Sequence, residues 1–525
     1  MRTLNPRVFW LVLLTTALIG LIIRVEIGMK SFISFDEWQH AFMASSARWA
    51  DLAFELRTNA HPPLFFLLLG VIVKWGSVEF YRSISIAAGV GSIVLIGLIA
   101  RRILASPILP LVCAAVFALS TDAISVSVEV RSYQLMIFFV LLAFWAWQQM
   151  LATPSQPAGI GYCCLFAIAS SLAVLTHYST AFFIGACVVV SAMFLRKSGV
   201  RVALALAAPC VVFAAGYFMH ARTLPMEGYL FDFYRSTTPG EALPHFLLRN
   251  FRNFFNLFSP VQVRGTGLAL LVILLLCLTA FWSFRKSSGE PRKVAIIFPA
   301  VIVLELLAAS LLDKYPFGGM LRHQYIAAPF LLLAAFAVLD VVLDAFPLPP
   351  YQYAIPALIL TASVANVVMY GPKLIWFPGV VLVSKEFNSW RSAFPGPRAV
   401  YVDHWGVIGF FIHTNDQPRT FLRSIPAEAE IDEYRLPDGT KIFYDKTRFQ
   451  LDLSDPSLYS SFADCIRNAG VKELTVFFYS AGDRPINQPP GALEATVTRK
   501  AAEQGLTATR IVVTPTSLAA GFELR

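Results

Sequence analysis

The sequence predicts a polytopic α-helical membrane protein that carries a C-terminal domain of alternating strands and helices. Three observations lead to this class. The 525 residues are 57% hydrophobic with a mean hydropathy of +0.63. Only 14% are charged, against about 25% in soluble proteins. Many apolar runs reach the roughly 20 residues that cross a bilayer, and they shorten sharply after about Gly371.

About eleven of these runs are predicted to span the membrane, and the whole fold is expected to hold about 11–13 transmembrane helices. A further apolar segment, residues 62–75, is short for a span and opens with two prolines, so we expect it to be interfacial or re-entrant. The predicted spans are residues 8–25, 82–100, 107–121, 133–150, 159–176, 178–195, 202–220, 266–284, 294–312, 323–345 and 352–371.

The positive charges predict the orientation, because Lys and Arg concentrate in short cytoplasmic loops. Residues 1–371 hold 25 Lys and Arg against 16 Asp and Glu, whereas residues 372–525 hold 17 of each. Membrane topology and anionic lipid account for this excess, so no nucleic-acid partner is expected. The amino terminus is predicted to be cytoplasmic, in a bacterial inner membrane, with the carboxyl terminus periplasmic or extracellular. The clusters placed inside are Arg2/Arg7, Arg101/Arg102, Arg196/Lys197/Arg201 and Arg285/Lys286 with Arg292/Lys293.

Two domains are predicted. The first is a transmembrane domain, residues 1–371, with long outer loops at residues 26–81 and 221–265. The second, residues 372–525, reads as a soluble extracytoplasmic α/β domain. Its predicted strands are 399–403, 441–445, 474–479 and 510–514, and its predicted helices are 458–468 and 493–504. In the second outer loop, residues 242–258 mix Arg with aromatic residues and leucines, which is typical of an interfacial amphipathic helix or of a packed loop helix.

The residues that could do chemistry lie in the predicted outer loops. Asp36 and Glu37 are adjacent in the first of them. Sugar transfer from a phosphate-linked donor needs a base for the acceptor hydroxyl and cations for the leaving phosphate. Asp36 could be that base, and a solvated carboxylate or a helix cap is the alternative. His61, held before two prolines in the same loop, would lie where a lipid phosphate sits.

Further candidates stand at the predicted outer ends of spans. Arg131 follows Glu129, and a guanidinium can bind two phosphate oxygens at once, although an Arg at a helix end also snorkels. His177 and Tyr178 lie between two spans. Tyr315, Arg322 and His323 border a Gly-Gly turn. Together these loops predict a cluster of carboxylate, His and Arg side chains at one membrane face.

These motifs resemble the GT-C-fold glycosyltransferases that use polyprenyl-phosphate sugars. The nearest likeness is to the branch of the protein O-mannosyltransferases and the aminoarabinose transferases, and it covers about 370 residues. The motifs are Asp36-Glu37, His61-Pro62-Pro63-Leu64, Arg82, Arg101-Arg102, Arg131-x-Tyr133 and Tyr315-Pro316-Phe317-Gly318 with Arg322. His61 stands where the aminoarabinose branch often has Lys, and Tyr133 where it tends to have Asp, which favours a generic hexosyl- or pentosyltransferase.

The resemblance implies an inverting transfer of a sugar from a polyprenyl-phosphate donor to a hydroxyl on a glycan, glycolipid or protein. Asp36 and Glu37 would be the catalytic carboxylates. No cofactor is expected, and a divalent cation held by the two carboxylates and nearby histidines is the alternative. The donor phosphate would meet His61, Arg131, Arg322 and His323, and the substrate groove would include His40, Glu129, His177, Tyr178 and Tyr315.

Two other functions stay open. An O-antigen ligase or polymerase, which uses a diphosphate-linked glycan, would rely on a late outer loop that contains residues such as Arg249 and Arg252. A lipid-linked sugar transporter or flippase would have internal repeats and polar residues in the middle of its spans. No repeat is visible in the sequence, and Glu305 is the main charge near the centre of a predicted span.

Overall fold

The fold is described from a computed structural model of the chain. The residues it describes are 4–31, 33–46, 49–57, 59–75, 80–152, 157–194, 200–223, 232–258, 266–287, 289–346, 349–375, 390, 392–395, 398–404, 406–408, 431–435, 439–447, 453, 455–479, 490–513 and 517–525. All statements about structure below concern these ranges.

The described residues up to Ile375 lie mainly in helices. In chain order they are α1 (Pro6–Lys30), α2 (Phe35–Ala44), α3 (Trp49–Leu56), α4 (Leu64–Trp75), α5 (Ser83–Ile103), α6 (Leu109–Leu119), α7 (Thr121–Val128), α8 (Tyr133–Ala152), α9 (Pro157–Thr176), α10 (Thr180–Phe194), α11 (Val200–Met219), α12 (Leu243–Phe258), α13 (Thr266–Lys286), α14 (Glu290–Leu311), α15 (Leu321–Gln324), α16 (Ala328–Ala345) and α17 (Pro349–Tyr370).

The helices confirm the polytopic membrane class. In the part of the chain that the structure describes, eight helices are long and apolar enough to cross a membrane, and the α6–α7 pair, bent by 54°, makes up to nine. Each of the eleven predicted spans coincides with a helix or, at residues 107–121, with this bent pair. The segment 62–75 contains α4, a helix of only 12 residues.

Helix α1 is longer than the predicted first span and encloses a buried charge. The helix continues to Lys30, which pairs with Glu26 one turn earlier. Arg24 is therefore well inside the helix, and its side chain is fully buried. The guanidinium Nη1 donates to the carbonyl oxygens of Gly20, at 3.1 Å, and Ala118, at 3.0 Å. Arg24 thus satisfies a backbone carbonyl beside the bend that ends α6.

Aromatic side chains hold the helical core together where α8, α10, α14 and α16 meet. Phe298 lies at the centre, with ring centroids 4.9 Å from Phe144, 4.8 Å from Phe330 and 5.9 Å from Phe183. These tilted and edge-on contacts are the arrangements that aromatic pairs prefer. All four phenylalanines are buried, so this cluster fixes the relative positions of four helices.

Helix α12 confirms the predicted amphipathic segment and packs on the glycine turn before α15. Phe317 lies 5.2 Å from Phe251 and 5.1 Å from Phe254 between ring centroids. Gly318 follows with a φ of +77°, a conformation that residues with a Cβ rarely adopt. A Cβ built there would lie 2.5 Å from the carbonyl oxygen of Asn250. The sequence therefore needs glycine for this close approach of two backbones.

We expect Gly318→Ala to destabilise the protein by at least 1–2 kcal/mol, because the left-handed backbone and the clash with Asn250 both oppose a Cβ. Gly240→Ala is the matched control, since a Cβ at Gly240 would meet nothing within 4 Å. Thermal unfolding of both variants in detergent measures the effect. Equal melting temperatures for the two variants would contradict this packing.

The chain divides into two compact units. The first consists of Met1–Lys30, Leu56–Phe65 and Arg82–Ile375, and the second of Ser31–Glu55, Phe66–Tyr81 and Trp376–Arg525. Much of the first predicted outer loop thus groups with the C-terminal residues. The predicted division at residues 371 and 372, which was drawn from composition along the chain, stays a prediction.

The second unit contains a six-stranded mixed sheet in the order β2-β3-β1-β4-β6-β5. Strand β1 pairs in parallel with β3 and β4, and the remaining pairs are antiparallel. Its elements are β1 (Ala399–Val402), β2 (Ile431–Arg435), β3 (Lys441–Asp445), α18 (Pro456–Ala469), β4 (Glu473–Tyr479), α19 (Pro490–Glu503), β5 (Leu506–Val513) and β6 (Ser517–Leu524). The predicted α/β domain is confirmed, and the sequence analysis missed β2 and β6.

Candidate functional site

Three aromatic and histidine rings form a buried cluster in the first unit, hereafter the His–Tyr cluster. His61 precedes α4, Tyr133 begins α8 and His177 follows α9. Their ring centroids lie 5.4 Å (His61–Tyr133), 5.0 Å (His61–His177) and 4.9 Å (Tyr133–His177) apart. The Ser132 hydroxyl lies 3.1 Å from His61 Nδ1. Three distant stretches of sequence are thus brought together at helix ends.

Three more predicted phosphate ligands, Arg131, Arg322 and His323, extend this cluster. Arg322 and Arg131 lie close enough to His323 for their positive charges to act on its ring. Arg131 and His323 are buried, and Arg322 is half-buried. No hydrogen-bond partner for His323 Nδ1 is found within the described ranges. The arrangement concentrates guanidinium groups and imidazoles, which are the donors that an anionic oxygen requires.

Burial sets the protonation state of His177. The removal of its ring from water lowers its pKa from the usual 6.5 to about 3. Its Nδ1 lies 2.8 Å from the Ser179 hydroxyl and accepts from the Ser179 amide at 3.1 Å. His177 is therefore neutral at physiological pH, and the positive charge at the cluster comes from the arginines.

The turn before α15 holds His323 in place. The Tyr315 hydroxyl donates to the His323 carbonyl at 3.1 Å, and the two rings meet edge to face at 6.3 Å. Gln324 Nε2 donates to the Pro316 carbonyl at 2.8 Å. Tyr315 thus contacts a predicted phosphate ligand directly, and its predicted place in a substrate groove stays a prediction.

Tyr178 has a different setting from its neighbour His177. Its hydroxyl lies 2.9 Å from His220 Nδ1, and His220 Nε2 donates to the Leu56 carbonyl at 2.6 Å. Burial raises the pKa of Tyr178 to about 12. This chain anchors the backbone that leads to His61, and it is a link that the sequence analysis did not identify. Glu129, also predicted in the groove, is half-buried immediately after α7.

The two candidate carboxylates lie in the first turn of α2, in the second unit, and differ in what they do. Ser34 is the N-cap, and its hydroxyl accepts from the Glu37 amide at 3.4 Å. The Glu37 carboxylate accepts from the Ser34 amide at 2.7 Å, which completes a capping box. Glu37 is 1% exposed, whereas Asp36 is half-buried. Glu37 thus stabilises the helix end, and Asp36 is the more accessible carboxylate.

His40 lies one turn further along α2 and contacts both its own helix and α4. Its Nδ1 donates to the Asp36 carbonyl at 2.8 Å, and its ring stacks on Phe66 of α4 at 5.2 Å. The side chain is buried. The ring contact holds α2 against α4, and the predicted role of His40 in the groove remains a prediction.

A buried polar chain in the second unit escaped the sequence analysis altogether. Gln39 Nε2 lies 3.0 Å from His404 Nε2, and His404 Nδ1 lies 3.0 Å from the Tyr444 hydroxyl. The same hydroxyl lies 3.4 Å from each carboxylate oxygen of Glu55. No local motif signals this set, because its hydrogen-bonded partners are up to 389 residues apart in sequence.

Acidification is expected to lower the stability of the folded protein through protonation of His404. Burial lowers the pKa of His404 from 6.5 to about 4, so the unfolded chain binds more protons between these two values. The free energy of unfolding is therefore expected to fall by up to about 3 kcal/mol as the pH drops from 6.5 to 4. His404→Phe removes this titration. Its melting temperature in detergent should vary less over that pH range than that of the wild type, and parallel profiles would contradict the assignment.

A metal centre at the candidate site would need several His, Cys, Asp or Glu side chains close together. Within the ranges given above, no group of three or more His, Cys, Asp or Glu side chains is placed to hold a metal ion. The residues gathered in the first unit are mainly neutral rings and guanidinium groups, which suit an anion. The expectation that no cofactor is required remains a prediction.

Comparison with known proteins shows which solved structures share this fold. No family profile and no curated protein matches the chain. Among solved structures, ArnT from Cupriavidus metallidurans bound to undecaprenyl phosphate is 11% identical with a TM-score of 0.53, over 98% of each chain. The Archaeoglobus fulgidus oligosaccharyltransferase in its apo form is 11% identical with a TM-score of 0.50, over 89% of this chain and 69% of its own.

The protein O-mannosyltransferase complex of Saccharomyces cerevisiae bound to its sugar donor also matches, at 17% identity. That match has a TM-score of 0.34 and covers 46% of this chain, which spans 38% of the yeast chain. The matches that reach a TM-score of 0.50 show the fold. The chain is a polytopic membrane protein with the GT-C fold, as the motifs in its sequence predicted.

Proposed function

We propose that this protein is a membrane glycosyltransferase that moves a sugar from a polyprenyl-phosphate donor to an acceptor hydroxyl on a glycan, glycolipid or protein. The observation that carries the proposal is the buried set of His61, Tyr133, His177 and His323 with Arg131 and Arg322, within a GT-C fold. The enzyme would work in a bacterial inner membrane, with the C-terminal domain on the periplasmic or extracellular side.

The phosphate of the donor explains why guanidinium groups and imidazoles should share one site. The donor is a phosphodiester, and loss of the sugar leaves a monoester with a second negative charge. Arg131 and Arg322 supply fixed positive charge where that charge develops, and the imidazoles of His61 and His323 donate hydrogen bonds to it. The solved GT-C-fold structure of ArnT is bound to undecaprenyl phosphate, which supports a lipid phosphate as the ligand.

Asp36 would supply the base. As a carboxylate in the first turn of α2, it is stabilised in its ionised form by the helix dipole. The acceptor oxygen attacks the anomeric carbon, and its proton passes to Asp36. The bond between that carbon and the phosphate oxygen breaks, and its electron pair stays on the phosphate. One such displacement inverts the anomeric configuration.

The O-antigen ligase alternative would depend on residues such as Arg249, and this arginine is already engaged in structural contacts. Arg249 lies in α12, where its Nε and Nη2 donate to the Glu241 carboxylate at 3.0 and 2.8 Å. The hydrogen bonds between these two side chains raise the pKa of Arg249 and lower the pKa of Glu241. The guanidinium also donates to the Asp232 carbonyl at 2.7 Å. Arg249 therefore has a structural role already.

A panel of radiolabelled donors tests the proposal. Purified protein in lipid vesicles is given polyprenyl-monophosphate sugars and, separately, a diphosphate-linked glycan, together with candidate acceptors from bacterial envelopes. We expect transfer from a monophosphate donor, with release of polyprenyl phosphate. Transfer from the diphosphate donor alone would establish the ligase. Movement of an unreacted lipid-linked sugar across the vesicle bilayer, without transfer, would establish the transporter.

A further inference from the structure

The polar chain in the second unit joins the helix that carries Asp36 to the C-terminal sheet. Gln39 belongs to α2 and Glu55 to α3, whereas His404 follows β1 and Tyr444 lies in β3. All four side chains are buried, at 9%, 2%, 3% and 1% exposure respectively. Buried polar groups are costly unless each is paired, so this chain is a specific arrangement rather than an incidental contact. It is called the Gln39–Glu55 chain below.

The hydrogen bonds of the Gln39–Glu55 chain can be assigned one donor and one acceptor each. The Tyr444 hydroxyl donates to the Glu55 carboxyl oxygens and accepts from His404 Nδ1–H. His404 Nε2 then carries no proton and accepts from the Gln39 amide. A neutral His404 satisfies every partner. The chain thus links α2 to a fixed carboxylate through three hydrogen bonds in series.

Packing reinforces these bonds on the same face of α2. Phe42 lies three residues after Gln39, and residues at this spacing are neighbours on a helix. Its ring meets Tyr444 edge to face at 6.1 Å and His404 at 6.5 Å. Asp36 lies three residues before Gln39, so the candidate base is one helical turn from the anchored amide.

We propose that the Gln39–Glu55 chain positions α2 for catalysis, so that the C-terminal domain contributes to the placement of the base. This inference rests on the proposed function, because it assigns Gln39, His404, Tyr444 and Glu55 as positioning residues for Asp36. The C-terminal domain would then act on the chemical step itself. A base displaced by about 1 Å can lose a hundredfold in rate, which makes such anchoring worth detecting.

Tyr444→Phe is the sharpest test, since it removes one hydroxyl and keeps the ring that packs on Phe42. Tyr401→Phe is the matched control. Tyr401 is a buried tyrosine in β1 whose hydroxyl donates to Asp445 in the same sheet. We expect Tyr444→Phe to lower kcat about tenfold with the donor KM within about twofold, as a misplaced base requires. Tyr401→Phe should keep both constants near those of the wild type.

Hydrogen exchange provides a readout that does not depend on sugar transfer. In the full-length protein, mass spectrometry should show faster exchange over α2 in Tyr444→Phe than in Tyr401→Phe or the wild type. A second variant, Gln39→Leu, should produce the same loss of kcat. The double variant Gln39→Leu/Tyr444→Phe should lose little more, because both substitutions interrupt the same series of hydrogen bonds.

The outcomes separate the two proposals. If Asp36→Asn is inactive while Tyr444→Phe keeps the wild-type kcat or the wild-type exchange over α2, the positioning role is overturned and the proposed function stands. Undiminished transfer by Asp36→Asn would instead overturn the base, and the positioning role with it. Faster exchange over α2 together with a selective loss of kcat would support the positioning role.

Discussion

Asp36→Asn is expected to lower kcat for sugar transfer by about 10²–10⁴-fold, the range that a positioned general base contributes. The amide keeps the size of the side chain and its place in the first turn of α2, but it cannot take the acceptor's proton. Binding of the donor should change little. The measurement is the initial rate of transfer at saturating donor, with thermal unfolding to confirm that the variant is folded.

Glu37→Gln distinguishes the two adjacent carboxylates. Glutamine also completes a capping box, so this variant should retain far more activity than Asp36→Asn if Glu37 serves as the helix cap seen in the structure. Equal losses in both variants would show that the two carboxylates act together in the reaction. Full activity of Asp36→Asn would remove the base from the proposal.

Arg131→Lys should have the second largest effect, a fall in kcat/KM for the donor of about 10²-fold. Lysine keeps the charge but loses the planar fork that binds two phosphate oxygens at once, and a bidentate contact with a developing charge accounts for a loss of this size. Arg131 is 7% exposed, so water cannot replace the missing donors easily. The measurement is kcat/KM over a range of donor concentrations, with inhibition by free polyprenyl phosphate as a second readout.

Arg102→Lys is the control for this substitution. Arg102 lies in the last turn of α5 and donates from Nη1 to the Gln149 side chain at 2.8 Å. It was assigned to a cytoplasmic loop on the basis of charge, and its change to lysine should leave the donor kinetics unaltered. If Arg131→Lys behaved like Arg102→Lys, Arg131 would not bind the donor phosphate.

The membrane helices could be predicted because hydrophobic length alone identifies them, and every predicted span coincides with a helix or a bent pair of helices. The errors lie where local sequence is ambiguous. Strand β2, with the sequence Ile-Asp-Glu-Tyr-Arg, is a charged edge strand, and β6 contains Ala-Ala-Gly, which has low strand propensity. Both strands are fixed by their partners in the sheet rather than by their own residues. Helix α1 continues five residues beyond the predicted span, which ended at residue 25.

The candidate site also contains residues that could be predicted from the sequence and residues that could not. His61, Arg131, His177 and His323 could be identified because each follows or begins an apolar run, and the structure gathers them at helix ends. The Gln39–Glu55 chain could not be identified, since Gln39 and His404 are 365 residues apart. The sequence grouped Asp36, the expected base, with Glu37 as catalytic carboxylates, and the capping box gives Glu37 a separate structural contact.

The stereochemistry of the product tests the central claim most directly, namely that an acceptor activated by Asp36 displaces the lipid phosphate in a single step. A donor of known anomeric configuration, taken from those that the wild type uses, is turned over, and the new glycosidic bond is assigned by nuclear magnetic resonance. The account predicts an inverted configuration at the anomeric carbon. Retention of the donor configuration would show a covalent sugar–enzyme intermediate or another two-step route, and it would contradict the role given to Asp36.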